Sequence, residues 1–187
     1  MANPKDVAVF VGSLRKESFT RKVALAMAKI APPTMKLSVI EIGHFGPYNQ
    51  DLDANPPAEW LALKDRIKQA DAVLFATPEY NRSVPGFFKN VIDIASRPYG
   101  KSAWDAKPAA VISVSPGIIG GFGANHHLRQ SLVFLNMPTM PQPEAYVGNA
   151  AGLVDDKGDF VKPETKEFLG KFLAAFATWI DRNEAAK

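Results

Sequence analysis

The chain reads as an α/β protein built on a doubly wound, five-stranded parallel sheet. Three observations lead there. Short, largely apolar runs recur at Val7 to Val11, Ala72 to Ala76 and Ala109 to Val114. Each run ends abruptly on small, hydroxyl or proline residues: Gly12-Ser13, Thr77-Pro78 and Ser115-Pro116-Gly117. Each is followed by residues spaced for a helix face. Continuous apolar runs of this length suit strands covered on both faces, and strand–helix alternation makes those strands parallel.

The elements follow in order. Val7 to Val11 (VAVFV) is the first strand. Ser18 to Ile30 is a helix, with Val23, Met27 and Ile30 on one face, and Pro32-Pro33 stops it. Leu37 to Ile42 is the second strand, and Gly43 to Pro57, rich in Gly, Pro, Asn and Asp, is a loop. Trp60, Leu63, Ile67 and Ala70 mark the inner face of the next helix. The third strand, Ala72 to Ala76, leads to a helix over Phe87 to Ile94 that starts after Pro85. The fourth strand, Ala109 to Val114, leads through a glycine-rich loop to a helix with Leu128, Leu132 and Leu135. A shorter fifth strand falls near Met137–Met140 or at Ala145–Val147. Gly148–Gly158 reads as a surface loop that could close a short hairpin. In the last helix Phe168, Phe172, Phe176 and Ile180 fall at i+4 steps, with Leu169, Leu173 and Trp179 beside them.

Strand–helix units in this number suit a flavodoxin-like sheet ordered 2-1-3-4-5, with helices on both faces. The 187 residues carry no internal repeat and no linker, so a single domain over 1–187 is expected. An apolar share of 47% with 22% charged residues supports an ordinary globular core.

Composition narrows the chemistry. With no cysteine there is no disulfide framework, thiolate zinc site, Cys-ligated iron–sulfur cluster, redox dithiol or Cys nucleophile. Three histidines leave little for a transition-metal site. His126 and His127 are adjacent, so on a helix they point about 100° apart, and Asp155-Asp156-x-Gly158-Asp159 lacks the closing Glu of a calcium loop. Lys and Arg, 22 against 19 acidic residues, are scattered, so the net charge of +3 reads as a mild attraction for anions and not as a nucleic-acid face. No apolar run is long enough for a membrane span, and the N-terminal segment lacks the order of a signal peptide. A cytoplasmic protein is expected.

In an open parallel sheet, ligands sit beyond the carboxyl ends of the strands, near the switch in strand order. Three loops leave strand ends that should meet there. Gly12 to Thr20 joins a strand to a helix N-terminus, where free amides and the helix dipole favour an anion. Ser13, Ser18 and Thr20 add hydroxyls and Arg15 a planar charged fork, which together suit a phosphate monoester. The same residues also suit ordinary helix capping. The loop matches neither G-x-x-x-x-G-K-[ST] nor G-x-G-x-x-G, against a triphosphate or a pyrophosphate-bridged dinucleotide there. Thr77 to Gly86 is stiffened by two prolines, and its Tyr80 can lie against a flat ring or serve as packing. Ser115 to Gly123 carries glycines that permit close backbone approach, or simply a flexible turn.

Taken together, Gly12-Ser13-Leu14-Arg15-Lys16-x-Ser18-Phe19, Pro78-Glu79-Tyr80-Asn81-x-Ser83-Val84-Pro85-Gly86 and Lys89-Asn90-x-Ile92-Asp93 resemble the NAD(P)H-dependent FMN reductase family, above all its bacterial quinone and chromate reductases. Ser115-Pro116-Gly117, Gly120-Gly121 and His127-Leu128-Arg129-Gln130 agree, so the likeness runs from about Val7 to Glu144. The resemblance implies bound FMN, with its phosphate held by Ser13, Arg15, Ser18, Phe19 and Thr20. The isoalloxazine would lie against Pro78, Glu79, Tyr80 and Asn81, with Ser115 and Gly117 at its edge. It further implies hydride transfer from NAD(P)H to flavin N5 and on to a quinone or similar small-molecule acceptor (free flavin, chromate or an azo compound). No side chain need act as acid or base, and the assembly would be a homodimer or homotetramer. Position 20 is Thr where the family commonly carries Asn, and Gly123 to His127 departs from the Arg- and Tyr-containing versions of close relatives. The rival is a flavodoxin-type FMN electron carrier with no NAD(P)H oxidation of its own. Such carriers tend to be acidic, and this chain is basic.

Overall fold

The computed structural model describes residues 3–184. The first two residues of the N-terminal segment and residues 185–187 of the expected domain span lie outside them. The elements run β1 (Lys5–Val11), α1 (Phe19–Lys29), β2 (Met35–Ile40), α2 (Ala58–Gln69), β3 (Ala72–Thr77), α3 (Gly86–Ser96), β4 (Ala109–Val114), α4 (Phe122–Phe134), β5 (Ala145–Val147) and α5 (Pro163–Glu184). All strand pairings are parallel, in the order β2-β1-β3-β4-β5. That is the expected doubly wound sheet.

Side-chain alternation along each strand builds two cores. Val7, Val9 and Val11 of β1, Leu74 of β3 and Ile112 of β4 face α1 and α5. Ala8, Phe10, Val73, Phe75 and Val111 face α2, α3 and α4. On the second face Phe10, Phe75 and Trp104 form an aromatic cluster with centroids 5.3–5.9 Å apart. The Trp104 indole N–H is satisfied by the Ile92 carbonyl at 2.9 Å. Both faces of the central strands are therefore covered, which explains why their sequences show no polar alternation.

Two expectations shift. The second strand starts at Met35 and ends at Ile40, two residues earlier than the apolar pattern suggests at each end. Met35 itself is buried in the first core. The fifth strand is Ala145–Val147, while the alternative at Met137–Met140 makes only an isolated bridge from Thr139 to Ala109. Pro138 and Pro141 flank that bridge, and prolines have no N–H to extend a ladder.

The last helix also departs from a simple i+4 stripe. Phe172, Phe176 and Ile180 are fully buried, but Phe168 is 40% exposed and Leu169 is buried in its place. Each i+4 step overshoots a full turn by about 40°, so the stripe rotates off the core at one end. The loop before α5 closes one antiparallel bridge, Val154 to Phe160. Within it, the Asp155 carboxylate accepts from the amides of Lys157 and Asp159 at 2.9 and 2.8 Å, and these bonds lower its pKa.

Register brings the functional ends together. Val11 pairs with Ala76 and Thr77 with Ser113. The chain leaves β1, β3 and β4 at one edge of the sheet, on adjacent strands.

Candidate functional site

The first loop leaves β1 after Gly12, whose amide still donates to Ala76 at 2.8 Å. A Cβ on Gly12 would sit 2.7 Å from the Phe88 ring, so the strand end lies directly on α3. From Ser13 to Thr20, no backbone amide finds an acceptor among the described residues. Ser13 and Thr20 are buried, at 8% and 2% exposure, and their hydroxyls have no partner among the described residues. Ser18 is the N-cap of α1, its Oγ accepting from Arg21 N at 3.1 Å, which leaves its O–H free to donate. The segment is thus a row of donors at a helix N-terminus with no internal acceptor, which fits a bound anion. The Arg15 guanidinium lies 5.8 Å over the Phe19 ring. Phe19 itself packs partly on the α1/α5 core, and its amide is open to a ligand.

The second loop is a tight turn. Tyr80 and Ser83 exchange backbone hydrogen bonds of 2.9 and 3.0 Å, and the residues between them, Asn81 and Arg82, take positive φ of 50° and 62°. The amides of Glu79, Asn81 and Arg82 are left without acceptors among the described residues. Tyr80 is 47% exposed, with no ring partner among the described residues. The Glu79 side chain turns away from the open edge. Its carboxylate accepts from Ala124 N at 3.0 Å and pairs with Arg82 at 3.1 Å.

The third loop rises from β4. Ser115 is tied on both backbone sides, to Val147 O and Ala150 N, and its Oγ accepts from Gly117 N at 3.1 Å. Gly120 and Gly121 have φ of 65° and 77°, and a Cβ on Gly120 would fall 2.7 Å from the Tyr146 carbonyl carbon. Gly120 lets the loop pass tightly against the end of β5, and Gly121 lets it pass against Ser113 of β4. Ile118 is 82% exposed.

Nearby polar residues support these loops, and sequence reasoning passed over most of them. Asn125 is fully buried. It donates to Ser113 Oγ and Ala145 O at 3.3 and 3.4 Å and accepts from Arg129 Nε at 2.8 Å. The signal was available: Asn125 precedes Leu128 and Leu132 by three and seven residues, so it occupies the buried stripe of α4. Asn90 donates to Gly46 O and accepts from Tyr48 N at 2.9 and 2.7 Å, pinning the β2–α2 loop to α3. Lys89 and Asp93 of the same motif pair with each other. The two histidines diverge as neighbours on a helix must. His126 Nε2 meets Tyr146 OH at 2.9 Å, and His127 Nδ1 meets Ser83 Oγ at 3.0 Å. Burial first, then the nearby Glu144, pushes the Tyr146 phenol up to about 12.

A doubly wound parallel sheet with open donors after β1 and rigid turns after β3 and β4 defines a flavodoxin-like class of protein. The particular family follows from comparison with known proteins. The model of the NADPH-dependent FMN reductase family matches residues 6–152, and the chain belongs to that family. A quinone reductase of Pseudomonas putida is 56% identical over 186 residues, 99% of this chain and 100% of its own length. A 2-hydroxy-1,4-benzoquinone reductase of a Burkholderia species is 41% identical, covering 93% of this chain and 95% of its own. The solved structure of FerB, a flavoenzyme NAD(P)H:(acceptor) oxidoreductase from Paracoccus denitrificans, superposes with a TM-score of 0.91 at 45% identity. It covers 96% of this chain and 98% of that one.

Proposed function

We propose that the chain is an NAD(P)H-dependent, FMN-containing oxidoreductase that reduces quinones or similar small molecules. The observation that carries this reading is the row of unpartnered donors from Ser13 to Thr20, set beside the rigid β3–α3 and β4–α4 turns. The amides of this segment, the hydroxyls of Ser13, Ser18 and Thr20 and the Arg15 guanidinium would hold the FMN phosphate. Thr20 supplies a hydroxyl donor in the first turn of α1. Pro78, Glu79, Tyr80 and Asn81 would frame one side of the isoalloxazine, and Ser115 and Gly117 its edge. On the β3–α3 turn, contact with the ring falls to free backbone amides, because the Glu79 carboxylate is already committed to α4. When bound, FMN supplies the two-electron chemistry that links NAD(P)H to the acceptor. The protein orients the two partners and requires no side-chain acid or base. The names of the relatives favour such an enzyme over a carrier that only relays electrons.

The proposal includes a single domain, a homodimer or homotetramer, and cytoplasmic residence. Oligomerisation is favoured by a groove of about 520 Å³ between α3 and α4, lined by Val84, Ile92 and Phe134 among others. Tyr99, Val133 and Phe134 nearby are more than 70% exposed, an apolar patch that a second copy would cover. No helix among the described residues is long and apolar enough to cross a membrane.

The test is direct. Purified protein loaded with FMN should turn yellow and oxidise NADH or NADPH with a quinone or similar acceptor, with the mass of a dimer or tetramer by light scattering. A preparation that stays colourless after incubation with FMN overturns the reading. One that binds FMN but consumes no nicotinamide with any acceptor supports the carrier.

A further inference from the structure

Glu79 has an unusual set of contacts for a residue in an exposed turn. It leaves the end of β3, yet its carboxylate reaches the first turn of α4, accepting from Ala124 N at 3.0 Å. Arg82, three residues on, holds the other oxygen at 3.1 Å. The side chain is only 12% exposed. The gap it spans leaves no spare volume. A Cβ on Gly123 would lie 2.8 Å from Arg82 O and 2.9 Å from Glu79 Oε2, and a Cβ on Gly121 would lie 3.6 Å from the Glu79 Cβ. A second tie runs parallel, from Ser83 Oγ to His127 Nδ1 at 3.0 Å. Two turns of backbone from different strands are thereby drawn into contact.

We propose that Glu79 is a positioning residue that locks the β3–α3 turn to the N-terminus of α4, so that both loops meet the flavin ring as one rigid frame. The inference rests on the FMN reading above and adds to it a division of labour. The carboxylate acts on α4 and not on the cofactor. A negative charge at a helix N-terminus also offsets the dipole and fills an otherwise empty amide. Only glycine at 123 lets the two backbones approach closely enough for the bond to form.

The lock and the phosphate cradle should separate experimentally. In the flavin-free protein, Glu79→Ala should speed hydrogen exchange at the Ala124 amide by about tenfold or more, since a charge-assisted bond is lost. Affinity for FMN and for riboflavin should then fall by the same factor, because only the ring end has moved. Arg15→Ala should weaken FMN alone. Glu79→Gln keeps a carbonyl oxygen for Ala124 and should retain flavin affinity within about threefold. Gly123→Ala, which widens the gap from the other side, should reproduce Glu79→Ala, and the double variant should be no worse than either single. The proposal is overturned by unchanged exchange at Ala124 in Glu79→Ala, by effects of the two substitutions that multiply, or by a loss of FMN binding with riboflavin binding intact. Wild-type protein that takes up neither flavin sinks the cofactor reading instead, and the exchange rate at Ala124 still decides the lock.

Discussion

The two ends of the candidate site are built on opposite plans. At the β1 end, the segment from Ser13 to Thr20 points a row of donors outward and satisfies almost none of them internally. At the β3 and β4 ends, the turns tie many of their polar groups into internal bonds. Tyr80 pairs with Ser83, Glu79 with Ala124, and Ser115 with Gly117, Val147 and Ala150. The first region leaves its donors open to an anion, whereas the second is held in shape by its own bonds and leaves open only backbone amides such as those of Glu79, Asn81 and Arg82. The contrast suits a small, strongly charged group at one end and a flat, neutral ring at the other. A charge is well held by many converging donors, whereas a ring is best met by a preformed wall.

This contrast can be broken at either end. The largest effect should come from Gly120→Ala, which forces a Cβ against the Tyr146 backbone at a φ of 65°. Neither atom set can yield, so a stability loss of about 2–4 kcal/mol is expected in urea unfolding. An unchanged midpoint would mean that the β4–α4 turn is not rigid. At the other end, Arg15→Ala should leave the fold intact and weaken FMN binding by about 10–150-fold, the worth of a charge-assisted hydrogen bond. Titration of the apoprotein measures it. Ser18→Ala sharpens the comparison, because this residue serves both the helix and the anion. Loss of the N-cap bond to Arg21 should cost about 1 kcal/mol of stability, with a further drop in FMN affinity.

The smallest effect concerns the wall behind the ring end. Burial raises the Tyr146 phenol from its ordinary value near 10 to about 12. A group with a raised folded pKa stabilises the fold below its unfolded pKa and loses that contribution as pH rises through the folded value. Stability should therefore decline between about pH 10 and 12, and Tyr146→Phe should flatten that part of the curve in thermal melts.

Most of this architecture was legible in the sequence because the central strands are apolar on both faces and end on conspicuous punctuation. VAVFV, AVLFA and AAVISV admit few other readings. The first loop was legible for the same reason: its Gly-Ser start and Ser18 cap announce a helix N-terminus. What stayed hidden depends on pairing between distant segments. Glu79 and Tyr80 are adjacent in the chain, and nothing local says that one side chain turns toward α4 while the other stays in the open. The apolar pattern likewise could not choose between Met137–Met140 and Ala145–Val147, since that choice lies in which backbone amides β4 can engage. Asn90 and Asn125 act through backbone carbonyls 44 and 20 residues away.

On the proposed FMN reading, the open row of donors after β1 would also tie the protein's persistence to its supply of ligand. A dianion that completed the row would bind the folded chain and not the unfolded one, and at a hundred times its dissociation constant it would add about 2.7 kcal/mol to stability. Freshly synthesised chains meeting scarce FMN would be softer targets for proteolysis than loaded ones, so cofactor abundance would set how much enzyme survives. Phosphate in a purification buffer would act on the same equilibrium, propping up empty protein and delaying its loading.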